Sequence, residues 1–162
     1  MAAACVDHTK VLDIIKKNGG LKSELIAILQ DIQEEYNYLP ADALRHVAKE
    51  LGMREIDILG VASFYKSFSL TPRGRHLINV CLGTACHVRG APRILSEIER
   101  KLGIPAGETT SDGFCTLTTV NCVGACALGP IVIVDSEYHG QMKIDKAGKL
   151  VTKMSKQHRK GN

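Results

Sequence analysis

Two close pairs of cysteines, Cys81-x4-Cys86 and Cys122-x3-Cys126, constrain this chain more than any other feature. Four sulfurs in two pairs, far apart in sequence, suit a four-thiolate metal centre, so the intervening residues must bring two loops together. The pairs lie in loop-like sequence, Cys81-Leu82-Gly83-Thr84-Ala85-Cys86 and Cys122-Val123-Gly124-Ala125-Cys126. Gly83 and Gly124 let the backbone curl, and small Thr84, Ala85 and Ala125 leave room. Each pair follows a strand-like run, residues 77–80 and 114–120. If those strands are neighbours, both loops open at the same sheet edge.

The spacing leaves several chemistries open. Structural zinc also takes four thiolates at spacings of about two to four residues, although neither pair is the commoner C-x2-C knuckle. A thiol–disulfide enzyme normally carries Cys-x-x-Cys, which this chain lacks. Buried free thiols explain one cysteine easily and two close pairs poorly. A [2Fe–2S] core bound by four thiolates is negatively charged and gains one more negative charge on reduction. Curled loops that aim N–H groups at sulfur, together with solvent exposure, then set its potential.

The other reactive residue types have plainer readings. Cys5 is a bystander near the N-terminus, and Cys115, on the strand before Cys122 and without a close partner, reads as a core residue, with approach to the metal centre as the alternative. His87, beside Cys86, reads as a surface histidine, with tuning or ligation of a metal as the alternative. Asp112 and Asp135 flank turns. No Gly-x-Gly-x-x-Gly follows a strand, no P-loop is present, and no Ser/His/Asp set stands out. The chain has residues for holding electrons or a metal and none for binding a hydride donor, so no catalytic residue is assigned. Any substrate chemistry belongs to a partner.

Composition narrows the class. The 162 residues allow one ordinary domain or two small ones, and 44% apolar with 23% charged residues fits a soluble globular protein. Aromatic residues make up only 4%, so the core must be mostly aliphatic. Much of the net charge of +4 comes from Lys153, Lys156, Arg159 and Lys160, read as a frayed, solvated end. There is no basic stripe with interleaved aromatics, which argues against nucleic-acid binding. No run approaches the ~20 apolar residues that span a bilayer, and residues 1–7 lack the pattern of a secretory signal. These features point to the cytoplasm, where cysteines serve as ligands or free thiols more often than as disulfides.

Periodicity predicts helices in the first half. One covers residues 9–17, closed by Gly19-Gly20. A second is capped by Ser23 and carries the stripe Leu25, Ile28, Leu29, Ile32 and Tyr36. Pro40 opens a third, with Leu44, Val47, Ala48 and Leu51 ended by Gly52. Ile56, Leu59, Gly60 and Ser63 mark a fourth, so residues 8–64 read as a small helical bundle. Thr71-Pro72-Arg73-Gly74 breaks the pattern and is the expected boundary. Beyond it, residues 76–80, 114–120 and 131–134 read as strands and 141–144 as a return strand. Pro92 opens a helix ended by Gly103, and 146–154 forms a closing helix. The fold class is therefore α/β: an N-terminal helical bundle followed by a compact α/β layer with the cysteine loops at strand ends.

Val80-Cys81-x4-Cys86 with Gly90-Ala91, then Cys122-Val123-Gly124-Ala125-Cys126 with Pro130, resembles the thioredoxin-like [2Fe–2S] ferredoxins. That family includes the small peripheral iron–sulfur subunit of NADH:quinone oxidoreductase and the equivalent subunits of NAD(P)-linked, electron-bifurcating hydrogenases and formate dehydrogenases. The resemblance covers nearly the whole chain. In the first half it includes the Tyr38-Leu39-Pro40 turn and the segment Gly60-Val61-Ala62-Ser63-Phe64-Tyr65. It implies a helical docking domain over residues 1–72 and a thioredoxin-like domain over 73–162. It implies one [2Fe–2S] cluster, with Cys81 and Cys86 on one iron and Cys122 and Cys126 on the other. It also implies a larger partner subunit that binds FMN and NAD(P), exchanges single electrons with this cluster and carries out the nicotinamide reaction. The chain alone would then turn over no substrate. The run from Cys81 to Gly90 is especially similar to the hydrogenase-type members.

Overall fold

The computed structural model describes residues 6–160 and divides into two compact units, Met1–Pro72 and Arg73–Asn162. Cys5 lies outside the described residues.

The first unit contains α1 (His8–Lys17), α2 (Leu25–Tyr36), α3 (Ala41–Leu51) and α4 (Glu55–Phe64). Asp7 caps α1 by accepting from the Thr9 N–H at 2.9 Å. The cap of α2 differs from expectation. A 3₁₀ turn, Lys22–Glu24, leads straight into the helix, and the Ser23 hydroxyl turns to Glu24 instead. The backbone of that turn already leads the chain into the helix, which leaves Ser23 no capping task. Pro40 precedes α3 and its carbonyl accepts from Leu44 N at 3.0 Å, while Gly52 ends the helix at φ 58°. Val11, Ile28, Leu29, Ile32, Leu39, Val47 and Ile58 fill the core between these helices. Each such side chain contributes about 1.5–3 kcal/mol relative to exposure. On α4 the buried residues are Ile58 and Ala62. Ile56 is 65% exposed and Leu59 37%, so the residues that marked this helix in the sequence face outward.

The second unit contains β1 (His76–Cys81), α5 (Thr84–Val88), α6 (Ala91–Leu102), β2 (Cys115–Val120), β3 (Val132–Val134), β4 (Glu137–His139) and α7 (Ile144–Lys160). Its sheet has the order β2-β1-β3-β4, with β1 and β2 parallel and the other pairs antiparallel. One face carries Ile78, Val80, Cys115, Leu117, Val132 and Val134. These pack with Ile94 and Ile98 of α6 and Ala147, Val151 and Met154 of α7.

Three features of this unit depart from the sequence reading. The return strand is β4, not residues 141–144. Asp135 and Ser136 both adopt left-handed φ (47° and 75°), so the chain reverses in two residues directly after β3. The loop after Cys81 contains a helix, α5, which begins at Thr84 and carries Cys86. The closing helix runs on to Lys160, so Lys153 and Lys156 lie on a helix and not in a frayed end. Val151 and Met154 anchor that stretch in the core, and neither Gly nor Pro interrupts it between Lys149 and Lys160. Among the described residues no helix is long and apolar enough to cross a membrane.

Candidate metal centre

The parallel pairing of β1 and β2 assembles the site. Their register places Cys81 opposite Val120, so the two strands finish side by side. Cys81 is the last residue of β1, and Cys122 comes two residues after β2 ends. Leu82 N donates to the Val120 carbonyl at 2.8 Å, which joins the two exits. From the other side, Cys81 N donates to the Ile131 carbonyl at 3.1 Å. α5 then turns the chain back over the strand end and carries Cys86 beside Cys81.

All four cysteines face this edge, in two differing halves. Cys81 and Cys86 are each only 2% exposed and pack with Ala91, Ile131 and Ile133. Cys122 and Cys126 are exposed, with their sulfurs 4.0 Å apart. Gly124, at φ 78°, points its N–H at Cys122 Sγ at 3.4 Å, the type of donor expected of a curled loop. Burial pushes the Cys86 thiol up, and neighbouring Cys81 and Cys126 add to the effect. Cys126 is raised first by Cys122, and Cys81 contributes. For Cys86 and Cys126, neighbouring thiols on both loops oppose ionisation, and a bound cation would offset this.

The donor set fits a two-metal group. The sulfurs come as two pairs, one on each loop, and a di-iron centre takes two thiolates per iron. The backbone is tight around them. A Cβ added to Gly83 would lie 2.3 Å from the Asn121 carbonyl oxygen, and one added to Gly129 would lie 3.0 Å from Cys86 Sγ. Glycine at these positions lets the two loops close to their observed spacing.

The other sequence candidates separate from this edge. Cys115 is fully buried among Ile78, Leu117 and the α6 and α7 side chains, and burial pushes its thiol up to about 12. His87 is exposed on α5. Asp112 accepts from Phe114 N in a local turn, and Asp135 accepts from Leu77 N at the β3–β4 turn. Sequence reasoning did not single out Arg89, whose guanidinium reaches the carbonyls of the second cysteine loop. Its place three residues after Cys86 was the available signal.

Comparison with known proteins bears on this geometry. A family profile described as thioredoxin-like [2Fe–2S] ferredoxin matches residues 11–155. The chain is 33% identical to HndA, a subunit of the NADP-reducing hydrogenase of Solidesulfovibrio fructosivorans, covering 89% of this chain and 84% of that protein. It is 36% identical to a subunit of the NADH-quinone oxidoreductase of Pseudomonas aeruginosa, over 78% of this chain and 76% of that one. Among solved structures, an NAD+-reducing [NiFe]-hydrogenase in the air-oxidized state matches with TM-score 0.72 at 22% identity. That match covers 83% of this chain but only 23% of the longer hydrogenase chain, and it speaks to the fold alone.

Proposed function

The chain belongs to the thioredoxin-like [2Fe–2S] ferredoxin family, and on that premise we propose that it is the electron-transfer subunit of a multi-subunit, NAD(P)H-linked oxidoreductase. The observation that carries the reading is the gathering of Cys81, Cys86, Cys122 and Cys126 at the shared end of β1 and β2. Cys81 and Cys86 would hold one iron and Cys122 and Cys126 the other. When bound, such a group supplies a reversible one-electron site.

The residues of this chain divide the remaining work. The apolar packing of Cys81 and Cys86 keeps water from one side of the site. Cys122 and Cys126, being exposed, form the side on which a partner's redox group could approach. The Gly124 N–H bonds Cys122 Sγ and favours added negative charge there. No residue is assigned to bind nicotinamide or flavin, so FMN and NAD(P) belong to the partner. Residues 1–72 serve as the docking domain, supported by the outward-facing Ile56, Leu59, Phe64 and Tyr65. Residues 73–162 form the thioredoxin-like domain. The cytoplasm is the proposed compartment, where reducing conditions keep the thiols available as ligands.

Iron and sulfide analysis of the purified full chain tests the assignment. The expected result is brown protein with two irons and two sulfides per chain and an EPR signal on reduction. A Cys122→Ser variant should lose the group or shift that signal. Colourless protein holding one tightly bound zinc would instead support a structural metal site. Retrieval of the chain as a lone carrier, with no flavoprotein alongside, would contradict the subunit role.

A further inference from the structure

The two cysteine pairs arrive on separate loops, and one side chain fastens them. Arg89 lies at the C-terminal end of α5, three residues after Cys86. Its Nη1 donates to the Cys126 carbonyl at 2.8 Å and to the Gly129 carbonyl at 3.2 Å, with the Ala127 carbonyl at 3.5 Å. These acceptors belong to the 3₁₀ turn Cys126–Leu128 and the residue that follows it. The Cys126 carbonyl also accepts from Gly129 N at 3.1 Å, and carbonyls at the C-terminal end of a turn carry partial negative charge. All three contacts run through Nη1, which the rigid guanidinium plane holds among the carbonyls.

The contact also lies beside a sulfur. An atom placed at the missing Cβ of Gly129 would meet Cys86 Sγ at 3.0 Å, the Cys126 carbonyl at 3.3 Å and Arg89 Nη1 at 3.5 Å. A thiol of the first pair, the backbone of the second pair and the guanidinium therefore face one spot. Among the described residues the hydrogen-bond partners of Arg89 are all carbonyls. Among the described residues no carboxylate pairs with it, and its charge lies beside Cys86 Sγ.

We infer that Arg89 is a positioning residue for the proposed cluster, with two effects. It fastens the Cys122–Cys126 loop to the Cys86 helix, which sets the four sulfurs before iron enters. Its positive charge also favours the more negative, reduced form of a four-thiolate centre. The inference rests on the ligand assignment proposed above.

Arg89→Gln and Arg89→Lys, made in the full chain, separate the two effects. The side chain is exposed at the surface, so both variants should fold, as circular dichroism would verify. Arg89→Gln should lose its visible colour to an iron chelator about 10-fold faster than wild type. Its midpoint, read by an EPR-monitored titration, should move to more negative potential. Arg89→Lys keeps the charge but carries it on a shorter, flexible stem without the rigid guanidinium plane. It should hold a midpoint near wild type yet release iron faster.

An Arg89→Gln variant matching wild type in both chelation rate and midpoint would overturn the inference and leave the cluster assignment standing. Faster iron loss at an unchanged midpoint would overturn the electrostatic effect. A wild-type chain that takes up no iron would sink the cluster assignment itself, and the inference with it.

Discussion

At Gly83 the decisive quantity is a distance. The backbone there has an ordinary negative φ of −56°, so conformational freedom is not the issue. A methyl group would sit 2.3 Å from the Asn121 carbonyl oxygen, a backbone atom, and 3.3 Å from Cys122 Cβ. Gly83→Ala should therefore push the two cysteine loops apart. We expect iron binding to weaken on the order of ten-fold or more while the helical unit keeps its stability. Iron content after desalting, compared with thermal melting, would check this, and full retention of iron would contradict it. Cys115 makes the opposite point. Its position on the strand leading to Cys122 left two readings open, core or cluster. Its side chain belongs to the apolar layer under α6 and α7. Strand alternation could not settle this alone, because the first half of β2 is buried on both faces.

Among the elements, the helices were the most legible. The stripe Leu25, Ile28, Leu29 and Ile32 and the glycines after α3 and α6 appear as expected, because 3.6-residue periodicity and left-handed caps are local properties. The misplaced return strand and the unexpected α5 are short elements. Both are held by contacts from other parts of the chain, such as Leu77 N to Asp135. One junction gives a pH test. Asn18, which caps α1, donates to the Ile14 carbonyl and to Asp31 Oδ2 on α2, at 2.9 and 3.0 Å. The Asn18 amide first, and then Lys17, hold the Asp31 carboxyl below its usual range. A depressed carboxylate contributes stability that is full above the ordinary value of ~3.9 and is lost as pH falls through the depressed one. Asn18→Ala should cost about 1 kcal/mol at neutral pH. It should also flatten the acid limb of a stability–pH profile measured by urea denaturation. An acid limb identical to wild type would rule out this linkage.

For the whole molecule, the helical unit leaves Ile56, Leu59, Phe64 and Tyr65 outward, with Phe64 at 80% exposure. Large apolar groups clustered in this way suit a surface that another subunit covers. Phe64→Asp should reduce recovery of a flavoprotein partner in a pull-down while leaving iron content and melting temperature unchanged. Loss of iron in that variant would contradict the separation of docking from cluster binding. By itself the sequence determined the helical half, the aliphatic core and the four cysteines as candidates, because periodicity, caps and pair spacing are written in neighbouring residues. Only the tertiary structure decided that β1 and β2 run parallel in a register that ends them together. It also decided that Cys115 stays in the core, and that Arg89 reaches across to the second loop. Those outcomes depend on contacts between residues about 40 apart in sequence, and no local pattern encodes which partner a strand edge or a guanidinium will meet.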